Sequence, residues 1–197
     1  MSFILYDIIF LIAFTLFIVI FLYKRKHNLK REGILYLYRT KFGLELIERT
    51  DKKYSHLLKR IQYVILASGY ILMVSALYII LKLAYVYITS PTLARDLKVP
   101  VLLPLFPYVT DLFKVDFLPP FYFTYWIIII AIIAIPHEFA HGIFARLHKV
   151  KILSTGFGFL GPFLAFFVEQ DDKQMNKAKK IPQMVILAAG TFANVLT

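Results

Sequence analysis

Apolar stretches alternate with charged ones along the whole chain. Long hydrophobic runs cover residues 3–23, 63–88 and 121–147, and a fourth begins at Ile181-Pro182. A membrane-spanning helix needs about 20 apolar residues, and the first three runs reach that length. The fourth run has 17 residues up to the end of the chain, which predicts a helix cut short in mid-span. The pattern predicts an all-α polytopic membrane protein with about four transmembrane helices.

Composition supports this interpretation. Hydrophobic residues make up 59% of the chain, against about 45–50% in soluble proteins. This excludes disordered, collagen-like and coiled-coil classes. Because the chain has no cysteine, disulfide scaffolds, thiolate metal sites and cysteine nucleophiles are also excluded.

The net charge of +11 is distributed in blocks between the apolar runs. Residues 24–60 carry a net +8, residues 89–122 carry zero, and residues 145–180 carry +4. This follows the positive-inside rule of membrane proteins and argues against nucleic acid as a partner. It predicts an N-terminus outside the cell and a cytoplasmic location for the two basic blocks.

Three sections follow from these runs. Residues 1–60 hold the first span and a basic cytoplasmic segment, and residues 61–120 hold the second span and an external loop. Residues 121–197 hold the remaining elements.

Within the first section, residues 31–60 mix apolar and basic positions, which predicts either a helix at the cytoplasmic interface or an ordinary basic loop. Six prolines predict an irregular external loop: Pro91, Pro100, Pro104, Pro107, Pro119 and Pro120.

Candidate chemistry lies in the third run, at His137-Glu138-Phe139-Ala140-His141. On a helix the two histidines share one face, so both can bind one zinc ion with Glu138 beside it as general base. Zinc would activate a water molecule for attack on a carbonyl group. The alternative is that these polar residues mark the wet end of a membrane helix.

The position of the motif favours the catalytic interpretation. Arg146, the next cationic residue, lies nine positions after His137, which is about 13 Å along a helix. The site is therefore expected within the hydrocarbon region on its cytoplasmic side. Pro136 leaves the carbonyl of Ile132 without its helical partner. Within a membrane such a break is tolerated beside protein or a water-filled cavity.

Residues 152–168 are apolar but contain Gly156, Gly158, Gly161 and Pro162. We interpret them as a membrane-associated β-hairpin that turns at Gly161-Pro162. Because an unpaired strand edge cannot face lipid, the edge is predicted to pair with an unwound substrate segment. A plain cytoplasmic hairpin is the alternative.

The last run places Ala189, Gly190, Ala193 and Asn194 at a spacing that lets helices approach closely. Asn194 could stabilise an oxyanion or tie two helices together, and the spacing alone favours the tie. The other candidate ligands are less favourable. His148 lies about 10 Å from His141 along the helix, and solvated roles are predicted for His27, His56, Glu169, Asp171 and Asp172.

Taken together, the motif and its membrane setting resemble the site-2 protease family of intramembrane zinc metalloproteases. The segment from Gly161 to Glu169 is similar to that family's glycine-rich hairpin. The segment from Gly190 to Asn194 is similar to its glycine-to-asparagine segment, with Thr191 where the family usually has proline. The resemblance covers residues 120–197 and implies that His137 and His141 bind zinc, that Glu138 is the catalytic base and that Asn194 assists the oxyanion. The family's third ligand is an aspartate in a later membrane helix, which these 197 residues do not contain.

The expected function is therefore hydrolysis of transmembrane or membrane-anchored protein substrates within the bilayer. The resemblance implies a location in a prokaryotic plasma membrane or in an internal eukaryotic membrane. The charge pattern predicts that the active site faces the cytoplasm. Two alternatives stay open, a membrane-anchored zinc protease with a cytoplasmic site and a non-catalytic membrane protein that binds partner helices. The oligomeric state is left open.

Overall fold

The computed structural model describes residues 3–26, 29–41, 43–90, 106–112 and 119–197. Pro91, Pro100, Pro104 and His27 of the sequence predictions lie outside these ranges. The helices are α1 (Phe3–Lys24), α2 (Leu44–Thr89), α3 (Val109–Leu112), α4 (Phe123–Leu147), α5 (Asp172–Lys177) and α6 (Lys180–Leu196). The strands are β1 (Leu29–Glu32), β2 (Leu35–Thr40), β3 (Ile152–Leu160) and β4 (Phe163–Gln170).

Three of the described helices, α1, α2 and α4, are long and apolar enough to cross a membrane. Many of their large apolar side chains are exposed, as expected for an integral membrane protein whose solvent is lipid. Helix α6 is apolar but shorter, with 17 residues. The four predicted runs each coincide with one of these helices, although only three reach the length of a full span.

Helix α2 is much longer than its predicted span. Its 46 residues correspond to about 69 Å at 1.5 Å per residue, more than twice the thickness of the hydrocarbon core. The helix is bent at Tyr54, whose backbone departs from helical angles. It continues across the predicted section boundary at residues 60–61. The division into three sections remains a prediction.

The described part of the chain contains a four-stranded antiparallel sheet in the order β1-β2-β3-β4. The predicted hairpin is present as β3 and β4, and it turns at Gly161, whose φ of 58° suits glycine. The all-α prediction was incomplete, because β1 and β2 extend this hairpin into a larger sheet. The hairpin itself had been predicted as two strands only.

Residues 29–40 correct the prediction of an interfacial helix or a basic loop. Aromatic and aliphatic residues alternate from Leu35 to Tyr38, a pattern that favours a strand. Gly33, with a φ of 62°, permits the turn between β1 and β2. Pairing of β2 with β3 supplies the remaining backbone hydrogen bonds. The helical prediction fails here and holds only from Leu44 onward.

Helices α2, α4 and α6 pack around one core. Buried residues from all three helices meet there: Ile65, Phe144, Ala145, Val185, Ile186 and Ala189. Small residues allow the close approach. A Cβ atom added at Gly69 of α2 would lie 2.7 Å from the Cβ of Ala188 on α6. This packing fixes α6 beside the histidine motif on α4.

A carboxylate fixes the other end of α4. Asp7 of α1 is only 1% exposed and accepts hydrogen bonds from the backbone N–H groups of Phe123 and Thr124 at 2.9 and 2.8 Å. The hydroxyls of Thr124 and Tyr108 donate to it as well. The first helix therefore supplies the N-terminal cap of α4, whose unsatisfied amides attract negative charge.

Candidate functional site

The two histidines of the motif converge, as predicted. The Nε2 atoms of His137 and His141 lie 3.0 Å apart on adjacent turns of α4, and the rings are inclined by 75°. Two imidazoles bound to one tetrahedral zinc ion have nitrogen atoms about 3.3 Å apart, given zinc–nitrogen distances of about 2.0–2.1 Å. The observed separation is close to that value.

The orientation of His141 is set by the neighbouring helix. Its Nδ1 atom lies 2.6 Å from the carbonyl oxygen of Ile186 on α6. Because a carbonyl oxygen only accepts, Nδ1 carries the proton and donates it. Nε2 then keeps the lone pair that a metal ligand requires, and this lone pair faces Nε2 of His137. Ligating histidines commonly have such a partner, which fixes the ring and its tautomer.

Gly190 of α6 faces the imidazole pair. A Cβ atom added there would lie 2.3 Å from Nε2 of His141 and 2.6 Å from Nε2 of His137. The imidazole pair therefore packs directly against the backbone of Gly190, at a distance that no larger residue would permit. The residues fit a zinc ion, because two imidazole nitrogen atoms, which zinc prefers as ligands, lie 3.0 Å apart, close to the separation expected around one ion.

Glu138 points toward the sheet instead. Its Oε2 atom accepts a hydrogen bond of 3.1 Å from the backbone N–H of Val168 on β4. It follows His137 directly on α4, so its carboxylate lies beside the histidine pair. A glutamate in this position can exchange a proton with a group held between the histidines and the sheet.

Strand β4 is the edge strand of the sheet on this side. Because the N–H of Val168 points to Glu138, it points away from β3, and in an antiparallel strand every second residue does the same. The backbone groups of Phe166 and Leu164 therefore also face outward. Their partners Phe157 and Phe159 lie directly opposite on β3. The edge beside Glu138 thus presents unpaired backbone groups in register.

Asn194 lies on α6 one turn after Gly190, on the same side of the helix. Its side chain is exposed. The predicted spacing of small residues is reflected in the buried Ala189 and in the contact of Gly190 with the histidines. The role of Asn194 remains a prediction.

The other sequence candidates lie apart from the histidine pair. His148 ends α4 and His56 pairs with Arg60 at 3.2 Å on the surface of α2. Asp171 caps α5 through the amide of Gln174, and Asp172 is exposed.

Glu169 differs from its predicted solvated role. It is about one quarter exposed and bonds to Arg39 of β2 at 2.7 Å. The hydroxyl of Ser154 on β3 donates to its other oxygen. The resulting cluster ties three strands together. Within the described ranges, no group of three or more histidine, cysteine, aspartate or glutamate side chains could hold a metal.

Comparison with known proteins agrees with this arrangement. The family model described as Peptidase family M50 matches residues 125–197, which contain the histidine pair, Glu138, the hairpin and Gly190. This segment of the chain is similar to peptidase family M50. The predicted resemblance to the site-2 protease family is thereby confirmed, and the M50 segment coincides with the part of the chain that carried it.

A longer relative covers the whole chain. An uncharacterized protein of Methanocaldococcus jannaschii is 32% identical over 196 residues, which is 96% of this chain. The chain spans about half the length of that relative, 48%. No solved structure matches the chain significantly.

Sequence reasoning missed the backbone groups that orient the side chains of the histidine motif. The carbonyl of Ile186 and the amide of Val168 orient His141 and Glu138, yet any residue type can supply such groups. Gly190 did carry a signal, since it had been singled out as a small residue, but its contact with the histidines became visible only with the packing of α6 on α4.

Proposed function

We propose that this protein is an intramembrane zinc metalloendopeptidase that hydrolyses peptide bonds of transmembrane or membrane-anchored proteins. The observation that carries the proposal is the convergence of the Nε2 atoms of His137 and His141 to 3.0 Å, with Glu138 beside them. The match of residues 125–197 to the M50 family model supports it. His137 and His141 would hold the zinc ion.

When bound, zinc would supply a Lewis acid that polarises water and the peptide carbonyl. Residues of the chain would transfer the protons and stabilise the oxyanion. Glu138 takes a proton from the attacking water and passes it to the leaving amine. The amide of Val168 holds one carboxylate oxygen, which leaves the other free to carry that proton. Asn194, one turn from Gly190, would donate a hydrogen bond to the developing oxyanion.

The edge of β4 is the proposed binding surface for the substrate. A helical substrate hides its carbonyl groups, so it must be unwound before attack. An extended segment can add to the outward backbone groups of Phe166 and Leu164 as a further strand. This places the segment beside Glu138, because the neighbouring outward amide, that of Val168, already contacts that carboxylate.

The proposed location is the plasma membrane, with the N-terminus outside and the site open to the cytoplasm. The basic residues between α1 and α2 and those after α4 support this orientation. Water for hydrolysis would then enter from the cytoplasmic side.

The experiment combines metal content with cleavage of a membrane-spanning reporter by purified protein in detergent. We expect Glu138→Gln to keep its zinc and to lose at least about 1,000-fold in cleavage rate, at the upper part of the range for removal of a general base. His137→Ala should lose both zinc and cleavage. His56→Ala, an exposed histidine on α2, is the matched control and should change neither.

Equal and near-zero zinc in the wild type and in His137→Ala would disprove the enzyme proposal. A second candidate is then a non-catalytic membrane protein that binds partner helices. The presence of only two ligands among the described residues favours that candidate. Co-purification of a partner helix that depends on the small residues of α6 would support it.

A further inference from the structure

A partly open cavity of about 220 Å³ lies between α4 and the sheet, next to Glu138. On α4 its wall is formed by Ile135, Glu138 and Phe139, which share one face of the helix at the spacing i, i+3, i+4. This face differs from the one that carries His137 and His141. The cavity therefore lies on the sheet side of the proposed zinc site.

The sheet forms the opposite wall. Phe157 of β3 and Phe166 of β4 both line the cavity, and they are cross-strand partners with ring centroids 4.5 Å apart. Apart from two threonines, the only polar side chain on the wall is that of Glu138. The cavity is thus an apolar space whose one ionisable group is the proposed catalytic base.

We infer that this cavity is a specificity pocket that receives a large apolar side chain, leucine or phenylalanine, of a substrate residue flanking the cleaved bond. The inference rests on the proposed function and specifies which residue the protease prefers beside the cleaved bond. An apolar cavity of about 150 Å³ suffices to bind benzene, so 220 Å³ holds either side chain.

The register of β4 supports this occupant over a lipid acyl chain. An added substrate strand would bond to the outward groups of Phe166 and Leu164, beside the amide of Val168 that contacts Glu138. The reacting carbonyl must lie within reach of Glu138. Side chains next to that carbonyl therefore emerge at the cavity, and successive side chains of a strand point to opposite faces, so one of them enters it.

The test uses an alanine-valine transmembrane peptide with one guest position, scanned across the cleavage site as alanine, leucine or phenylalanine. In the wild type we expect kcat/KM to be about 10- to 100-fold higher for leucine or phenylalanine than for alanine at one position. Ile135→Phe fills the cavity and should reduce this ratio to about one. Ile128→Phe, the same change at an exposed position of α4, should preserve the ratio.

A second measurement does not depend on turnover. Photo-leucine at the guest position should cross-link to the cavity wall in Glu138→Gln, and Ile135→Phe in that background should abolish the cross-link. An unchanged ratio in Ile135→Phe, or cross-links that avoid the wall, would overturn the pocket while cleavage and zinc content still supported the protease. Absent zinc and cleavage would disprove the protease, and the cross-link would still decide whether an apolar side chain occupies the cavity. A co-purified lipid that blocks the cross-link would overturn the inference.

Discussion

Replacing Gly190 by alanine tests the central geometry of the site. The added methyl group would begin 2.3 Å from Nε2 of His141, and side chains essentially never approach other atoms within 3.0 Å. The ring or the helix must therefore move by at least about 0.7 Å. Metal sites tolerate deviations of about 0.2 Å in their ligand distances. We expect zinc affinity to fall by at least about 100-fold, the upper range for disturbance of a supporting group.

The assay is a competition titration with a zinc-binding dye in detergent, followed by elemental analysis of the purified protein. The fold should survive, because alanine is favoured over glycine in a helix by about 0.8–1.0 kcal/mol. Gly158→Ala is the matched control. Its methyl group would contact only Leu37 and Ala165, at 3.4 and 3.8 Å, so zinc affinity should stay unchanged. Wild-type zinc affinity in Gly190→Ala would refute the assignment of the metal to the imidazole pair that packs on Gly190.

Two further predictions concern stability. Asp7→Ala leaves two amides of α4 without their acceptor, and it should lower the free energy of unfolding by about 2–4 kcal/mol in denaturant titrations; an effect no larger than that of Thr15→Ala on the same helix would contradict this. Burial lowers the pKa of His148 below 6.5, so the unfolded chain takes up a proton first as the pH falls. The contribution of His148 to the free energy of unfolding is therefore fully present above pH 6.5 and is lost as the pH falls below that value. The thermal midpoint should therefore fall less in His148→Gln than in the wild type between about pH 7.5 and pH 5.5, and equal slopes would disprove the effect.

The sequence predicted those features that follow from local periodicity. Apolar runs identified the four apolar helices α1, α2, α4 and α6, and the glycines with Pro162 identified the β3–β4 hairpin. The spacing of His137 and His141 on one helix was sufficient to predict their convergence, because four residues complete about one turn. These features depend on neighbours in sequence, so no tertiary information was needed.

The features that sequence analysis missed depend on distant parts of the chain. Strand β2 exists because it pairs with β3, more than 110 residues later, and no local pattern records that partner. The same holds for the contact between Gly190 and the histidines. Asp7 did carry a signal, since a charged residue in a membrane helix requires a reason. Its partners, the first amides of α4, could not be identified from residue types.

The cap that Asp7 places on α4 links the order of synthesis to assembly. Asp7 leaves the ribosome 116 residues before Phe123. Its carboxylate accepts a hydrogen bond from the backbone amide of Phe123. A carboxylate at the centre of a membrane helix costs about 2.5–3.5 kcal/mol on insertion scales. Asp7, the fifth residue of α1, adds a smaller cost that its partners on α4 offset. Arrival of α4 removes that cost, and the two helices consequently favour each other's insertion.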